Sequence, residues 1–341
     1  MPRPTVHDVA NSAGVSLATV DRVLNQRPGV KPATAERVHV AIQEIGYVRD
    51  VAAANLARQR NYHFVFLIPD LASAFFSQLN TVISEAKLRA SVDRMNISIL
   101  QVPANDPYAL VTELEKLDLG HLNGIAIMAP ETPQLRDAIG RLKSRGVAVV
   151  GIISDLPNSD IDQFVGINNL AAGRTAGLLL GRFLGHQSAE ILVLAGSMQA
   201  RDHVERRLGF DAIMTEQFQH INVLPTVEAW DDNHLMEELV SRALAARPEI
   251  KAIYSIASGN SGLVNALNRR HSERKFVVVH ELTDTSRAAL ENNLFDAVIK
   301  QDVGHIVRSA IRMMRANSDG RDLIASQEKI RIEVILKENL N

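Results

Sequence analysis

Thr5 to Asn25 reads TVHDVANSAGVSLATVDRVLN. Its apolar residues Val6, Val9, Ala10 and Ala13 recur at the i, i+3, i+4, i+7 spacing of one helix face. Thr5 and Asp8 stand three apart, as in a capping box, with Asp in place of the usual Glu or Gln. Gly14 can take the left-handed backbone that a tight helix exit needs, so the first helix is expected to stop there. Ser16 is suited to cap a second helix, whose buried side would carry Val20, Val23 and Leu24. Two short helices joined by a few residues that include glycine make a helix-turn-helix. A third helix is expected from Pro32 to Ile45, because proline fits a first helical position. Val38, Ile42 and Ile45 can close a small core with the first two helices, and Gly46 ends the third. The next stretch, Tyr47 to Arg60, reads YVRDVAAANLARQR. It is Ala-rich and helix-prone, but has too few large apolar residues to fold alone.

From His63 the grammar changes. Short apolar runs alternate with longer amphipathic stretches. The runs are His63–Ile68, Asn96–Val102, Gly124–Met128, Val147–Ile153, Glu190–Ala195, Lys251–Ile256, Phe276–Val279, Asp296–Ile299 and Ile330–Leu336. Helical stretches between them include Phe76–Ala90, Pro133–Arg145, Asn169–Leu184, Arg201–Phe218 and Asn233–Ala246. Strands buried on both faces and alternating with helices imply parallel sheets. So many strands favour two doubly wound α/β lobes over one sheet. The expected organisation is a small all-α head at 1–47, a linker at 48–61 and an α/β core at 62–341. Within the core, one lobe is expected at about 62–162 plus 293–325 and the other at 163–292 plus 326–341. Open α/β sheets bind ligands at the carboxyl ends of their strands, so two facing lobes make a cleft for a small molecule.

Charge separates the same parts. The chain of 341 residues has a net charge of −2. Residues 1–60 hold eight Lys or Arg against five acids, a net +3 that leaves −5 for the remainder. A mildly basic head on an acidic body fits a nucleic-acid module attached to something else. The chain has no cysteine, which excludes disulfides and thiolate metal sites. Residues 1–30 show no signal-peptide pattern and no apolar run is long enough to span a bilayer. The simplest reading is a soluble cytoplasmic protein.

The head resembles the LacI/GalR family of bacterial transcription regulators. The residues that carry this are Thr5, Asp8, Val9, Ala10, Ala13-Gly14-Val15-Ser16, Ala18-Thr19-Val20, Arg22-Val23-Leu24-Asn25 and Ile45-Gly46-Tyr47. Weaker matches follow in the family's order at Val165–Arg174, Arg206–Phe210 and Val298–Asp302. The body also resembles sugar-binding periplasmic binding proteins of type I. The resemblance implies a helix-turn-helix that reads operator DNA, a hinge helix, and a sugar-binding core.

Candidate DNA-contacting residues are Thr5, Ser16, Leu17, Ala18, Thr19, Asp21, Arg22 and Asn25. The second helix can lie in the major groove. Arg22 could bond a guanine bidentately, worth roughly 1–3 kcal/mol of base discrimination. Leu17 and Ala18 can meet only apolar edges such as a thymine methyl. Ser16, Thr19 and Asn25 suit phosphates, although Ser16 and Thr19 could also serve as caps alone. In the linker, Leu56 matches the family's minor-groove wedge, with Ala53 on the same face one turn earlier; such wedging costs a few kcal/mol of unstacking. Three departures from the family stand out. Asp21 replaces a small hydroxyl residue, and either reads a cytosine amine or pairs with a basic neighbour. Arg49 and Asp50 replace proline and asparagine at the linker's start. Asn168 replaces an aspartate.

Candidate ligand-binding residues are Phe75, Phe76, Asp155, Arg206, Trp230, Asn260, Glu281 and Gln301. Trp230, the chain's one tryptophan, could stack on a pyranose face or simply pack. Arg206 resembles the family's effector-binding arginine and can fork onto vicinal hydroxyls or a carboxylate; Arg207 is its close competitor. Glu281 and Gln301 follow strands, where the resemblance places sugar-binding groups. Asn260 could bind ligand or cap a helix. Asp155 could accept from a hydroxyl. Phe75 and Phe76 could face ligand or fill the core. No zincin, nucleophile-elbow or phosphate-loop motif appears, so no enzyme, metal site or cofactor is expected. The combined expectation is a homodimeric repressor on a pseudo-palindromic operator, controlled by a sugar or related polyhydroxy metabolite. The alternatives are a sugar-binding transport or sensor protein, or a sugar-modifying enzyme, with no DNA role.

Overall fold

A computed structural model describes residues 4–24, 27–47, 61–90, 94–104, 106–256, 259–269 and 274–340. The chain falls into two units, Met1–Arg60 and Asn61–Asn341. In the first, α1 (Val6–Ala13), α2 (Leu17–Leu24) and α3 (Pro32–Glu44) surround a small apolar centre. The capping box forms: the Asp8 carboxylate accepts from the Thr5 N–H at 2.7 Å, and Thr5 Oγ1 accepts from the Asp8 N–H at 3.4 Å. Gly14 ends α1 in the left-handed region at φ 61°. Ser16 Oγ accepts from the Thr19 N–H at 3.2 Å and so caps α2. Val9, Val20 and Val38, one from each helix, are completely buried. Each contributes roughly 1.5–3 kcal/mol by burial, which is what allows three short helices to hold together.

The second unit is built on two sheets. In the first lobe run β1 (Tyr62–Asp70), α4 (Ala74–Ala90), β2 (Met95–Pro103), α5 (Pro107–Glu115), β3 (Gly124–Ile127), α6 (Pro133–Ser144), β4 (Ala148–Ile152) and β5 (Gln163–Val165). Its strands are all parallel, in the order β2-β1-β3-β4-β5. The second lobe holds α7 (Asn169–Leu184), β6 (Ala189–Ala195), α8 (Arg201–Gln217), β7 (Ile221–Val223), β8 (Val227–Glu228) and α9 (Asn233–Ala246). It continues with β9 (Ile250–Ser255), α10 (Asn260–Arg269), β10 (Phe276–His280), α11 (Asp284–Glu291) and β11 (Ala297–Lys300). Next, α12 (Val303–Asp319) packs on β3 and β4 of the first lobe, and β12 (Glu333–Ile335) returns to the second. The second sheet runs β12-β11-β10-β9-β6-β7, with β8 also on β6; β12 is antiparallel to β11.

Two expected lobe boundaries need correction. Residues 163–165 extend the first sheet as β5, and residues 297–300 lie inside the second sheet as β11. The crossings therefore follow Val165 and Lys300. Three residues are too few to give a strand a period of its own, which is why β5 was not legible. β11 carries buried positions on both faces, a pattern that does not say which sheet it joins. Among the described residues no helix is long and apolar enough to cross a membrane.

One packing contact aims the cleft residues. Helices α7 and α8 meet at unusually close range. A Cβ on Gly173 would overlap the Arg206 carbonyl, and one on Gly209 would overlap the Leu170 carbonyl. Gly177 and Gly181 lie further along α7, beside Ile213 and Phe218 of the facing segment. This glycine face brings the α8 backbone onto α7 and fixes where the Arg206 side chain leaves the helix.

Candidate functional site

The carboxyl ends of the two sheets face a cleft of about 870 Å³. Phe75 and Phe76, at the start of α4, line it from the first lobe. Their rings meet edge to face at 5.4 Å, and both are nearly buried. From the second lobe come Arg206, Trp230, Glu281 and Gln301. Backbone strain gathers here. Ile153, Trp230, Asp231 and Glu281 have φ values of 66°, 53°, 58° and 67°, and all four line the cleft. A non-glycine residue held in the left-handed region costs roughly 1–3 kcal/mol and persists only where its surroundings fix it. Trp230 is fixed by donating its N–H to the Gly196 carbonyl at 2.8 Å. The Asp231 carboxylate lies over Gly196, where a Cβ would make it shift.

Arg206 is the hub. Its side chain is 3% exposed, and its Nε donates to Asn169 Oδ1 at 2.9 Å. Nη1 donates to the Ile256 carbonyl at 3.4 Å. Nη2 lies 3.7 Å from Glu281 and 4.0 Å from Asp202. Gln301 Nε2 donates to Glu281 Oε1 at 2.7 Å. Burial pushes the Glu281 carboxyl up to about 7, while the Arg206 charge and the Gln301 bond pull the other way. Next to it, burial holds His280 well below its ordinary value, and the Arg206 charge adds to that. His280 Nε2 and the Tyr254 hydroxyl are 2.9 Å apart, and Tyr254 stacks on Phe210 at 4.6 Å. Burial raises the Tyr254 phenol, so it stays neutral. Two polar atoms of the lining, Asp202 Oδ1 and Gln301 Oε1, are buried with no hydrogen-bond partner. Unmet acceptors in a dry wall cost free energy, and a ligand that donates to them recovers it.

The sequence-predicted ligand residues divide. Phe75, Phe76, Arg206, Trp230, Glu281 and Gln301 come together. Arg207 points elsewhere, tied to Asp211 at 2.8 Å, the Leu224 carbonyl at 3.1 Å and Thr226 at 2.8 Å. Asp155 does not reach the cleft. It lines a separate outer groove with Asn168, Glu205 and Glu328, and its neighbour Ser154 faces the cleft instead. The left-handed turn at Ile153 changes the alternation that a straight strand end would have continued. Asn260 is also absent from the lining. It is 2% exposed, accepts from Ser255 Oγ at 3.0 Å and donates to the His280 carbonyl at 3.1 Å. It braces the ends of β9 and β10. Asp202 and His203, which sequence reasoning did not select, line the cleft. They stand four and three residues before Arg206 on the same helix, a spacing that marks one face and could have found them.

In the head, Ser16, Leu17, Ala18 and Arg22 are exposed, while Thr19 and Asp21 are half-buried. Thr5 serves its capping box, and the Ser16 and Thr19 hydroxyls are 2.9 Å apart. Asp21 pairs with Arg27 at 3.3 Å, the basic-neighbour alternative. Asn25, Arg49, Asp50, Ala53 and Leu56 lie outside the described residues.

Comparisons with known proteins agree with this division. Residues 64–322 match the periplasmic binding protein domain, and residues 5–50 match the bacterial regulatory proteins of the lacI family. Catabolite control protein A from Priestia megaterium is 40% identical over 75 residues, 22% of this chain and 23% of that protein. In the first four curated relatives the alignment spans only 23 or 24% of the relative's length. The transcriptional regulator CelR from Thermobifida fusca is 27% identical over 290 residues, covering 80% of this chain and 79% of that one. Among solved structures, a solute-binding protein from Burkholderia graminis in complex with D-arabinose superposes with a TM-score of 0.75. It is 22% identical and covers 83% of this chain and 97% of its own, a likeness of fold. By residues 64–322 the chain belongs to the periplasmic binding protein domain family, and it carries at residues 5–50 a head that matches the bacterial regulatory proteins of the lacI family.

Proposed function

We propose that the protein is a sequence-specific transcriptional repressor whose operator affinity is set by a sugar or related polyhydroxy metabolite in the cleft. The observation that carries the effector half is the pair of buried, unpartnered acceptors, Asp202 Oδ1 and Gln301 Oε1, beside Arg206. A hydroxyl-bearing ligand supplies the missing donors, and the rings of Phe75, Phe76 and Trp230 offer flat apolar surface to its C–H faces. The DNA half is supported by the exposed row Ser16, Leu17, Ala18 and Arg22 on a capped helix. Arg22 reads a base, and the hydroxyls of Ser16 and Thr19 contact phosphate. We read the protein as a cytoplasmic homodimer, since a two-fold dimer matches a pseudo-palindromic operator. In this reading Leu56, with Ala53, wedges the minor groove. The ligand must favour one lobe arrangement to have any effect.

The test is a thermal-shift screen of the full chain over sugars and sugar derivatives, followed by operator binding with and without the compound that raises the melting temperature. A ligand that stabilises the protein and changes operator affinity is expected. Absence of both stabilisation by any sugar and salt-dependent binding to operator DNA would remove the reading. Recovery of the ligand unaltered after long incubation is expected of a regulator; turnover would make it an enzyme.

A further inference from the structure

We infer that the effector is an uncharged, donor-rich polyhydroxy compound without phosphate or carboxylate, and that Asp202 sets this preference. The inference rests on the cleft being the effector site. Two nitrogens of the Arg206 guanidinium donate to Asn169 Oδ1 at 2.9 Å and the Ile256 carbonyl at 3.4 Å, and the third, Nη2, stands at ion-pair distance from two carboxylates, Glu281 at 3.7 Å and Asp202 at 4.0 Å. Among the described residues of the lining, Asp202 and Asp231 outnumber this one arginine, and Glu281, which burial raises to about 7, adds part of a further negative charge. His203 does not tip the balance. Its Nδ1 is 2.9 Å from the Ser197 carbonyl and its Nε2 is 3.8 Å from Asp202, so both ring nitrogens already face acceptor oxygens of the protein.

The two unmet atoms of the lining have the same polarity. Asp202 Oδ1 and Gln301 Oε1 accept and cannot attract an acceptor. These side chains are 4% and 2% exposed, so water does not dilute the preference. A phosphate or carboxylate would bring oxygens to oxygens and negative charge to a negative wall. A hydroxyl brings its proton to the same atoms without a charge penalty. Juxtaposed like charges in a dry site are among the strongest sources of discrimination between ligands of equal shape.

Calorimetry on the full chain tests this with paired probes: D-glucose, D-galactose and D-arabinose and their methyl glycosides, each beside its phosphate ester and its sugar acid. Neutral members are expected to bind, with each anionic partner at least about 100-fold weaker. A phosphate ester or sugar acid that binds more tightly than its neutral parent overturns the inference. Binding by anions alone leaves the effector site standing and removes only the charge preference; binding by neither class removes the effector site itself. Asp202→Asn keeps the shape, removes the charge and adds an N–H donor. It is expected to weaken the neutral parent about tenfold and narrow the gap to its phosphate ester by at least tenfold. An unchanged gap in a variant that melts as the wild type does removes Asp202 from the role. Should that variant not fold, the ranking of the paired probes on the wild type decides the matter.

Discussion

Under the proposed function, α2 and the cleft solve recognition in opposite ways. On α2, Leu17, Ala18 and Arg22 stand in solvent, held only by their own helix and its cap at Ser16. In the cleft, Arg206, Glu281 and Gln301 are buried, with Arg206 paired to Glu281 at 3.7 Å and Gln301 donating to the same carboxylate at 2.7 Å. DNA is a large polyanion with an exposed face, so a few exposed side chains and a salt-dependent attraction suffice. A small ligand offers only a few atoms, so its site must be dry and preorganised. Changes in the cleft should therefore cost both folding and binding, whereas changes on α2 should cost binding alone.

The largest effect is expected at Arg206. Arg206→Ala leaves Glu281 and Asp202 without their counter-charge, a type of change that costs about 3–5 kcal/mol of stability. Denaturant unfolding should show that loss, and calorimetry should show no effector heat. Full stability with full affinity would mean that the buried hub is not one.

Next comes pH. Glu281 has an ordinary value of 4.5 and is raised to about 7 in the folded protein. The folded state therefore holds an extra proton in that window, and this group's contribution to stability falls as pH rises from about 4.5 to 7, by on the order of a few kcal/mol. His280 acts in the opposite sense. Its folded value lies well below 6.5, so its contribution is lost as pH falls through 6.5. Comparing wild type with Glu281→Gln across pH 5 to 8 isolates the first group: the variant should gain relative stability as pH rises. A difference that is flat with pH would contradict the burial assigned to Glu281.

On the head, Arg22→Ala should cost roughly 1–3 kcal/mol of discrimination at one base pair and leave effector affinity unchanged. Competition binding with operator variants measures it. Unaltered discrimination would remove Arg22 from base reading, and a changed effector affinity would break the contrast between the two regions. The smallest effect is expected at Asp21. Its pair with Arg27 is exposed on both sides and worth at most about 1 kcal/mol. Asp21→Asn should therefore hardly move the melting temperature, while relieving repulsion from phosphates and tightening binding to non-specific DNA. A large drop in melting temperature would assign Asp21 a structural task.

The same contrast explains what was legible beforehand. The three-helix fold of the head was legible because its signals are local: a cap three residues from its partner, a glycine at a helix exit, and Val6, Val9, Ala10 and Ala13 at helical spacing. The alternation of strands and helices gave two lobes for the same reason. The cleft was reached at Arg206, Glu281 and Gln301 only because strand ends and a family likeness point there. What binds these residues together spans long stretches of chain, and no local period records it. Asp202 and His203 went unselected although they share a helix face with Arg206. Asp155 was assigned because it follows an apolar strand run, and the left-handed turn at Ile153 comes between that strand and Asp155. Asn260 had two open uses, ligand contact or helix cap, and its bonds to Ser255 and the His280 carbonyl give it a third, bracing the ends of β9 and β10.

The most direct test is operator affinity of the full chain with and without the neutral sugar that most raises its melting temperature, repeated in Arg206→Ala. The account predicts at least a tenfold ligand-dependent change in the wild type and none in the variant. An operator affinity that ignores the ligand in the wild type, or still responds in Arg206→Ala, would contradict it.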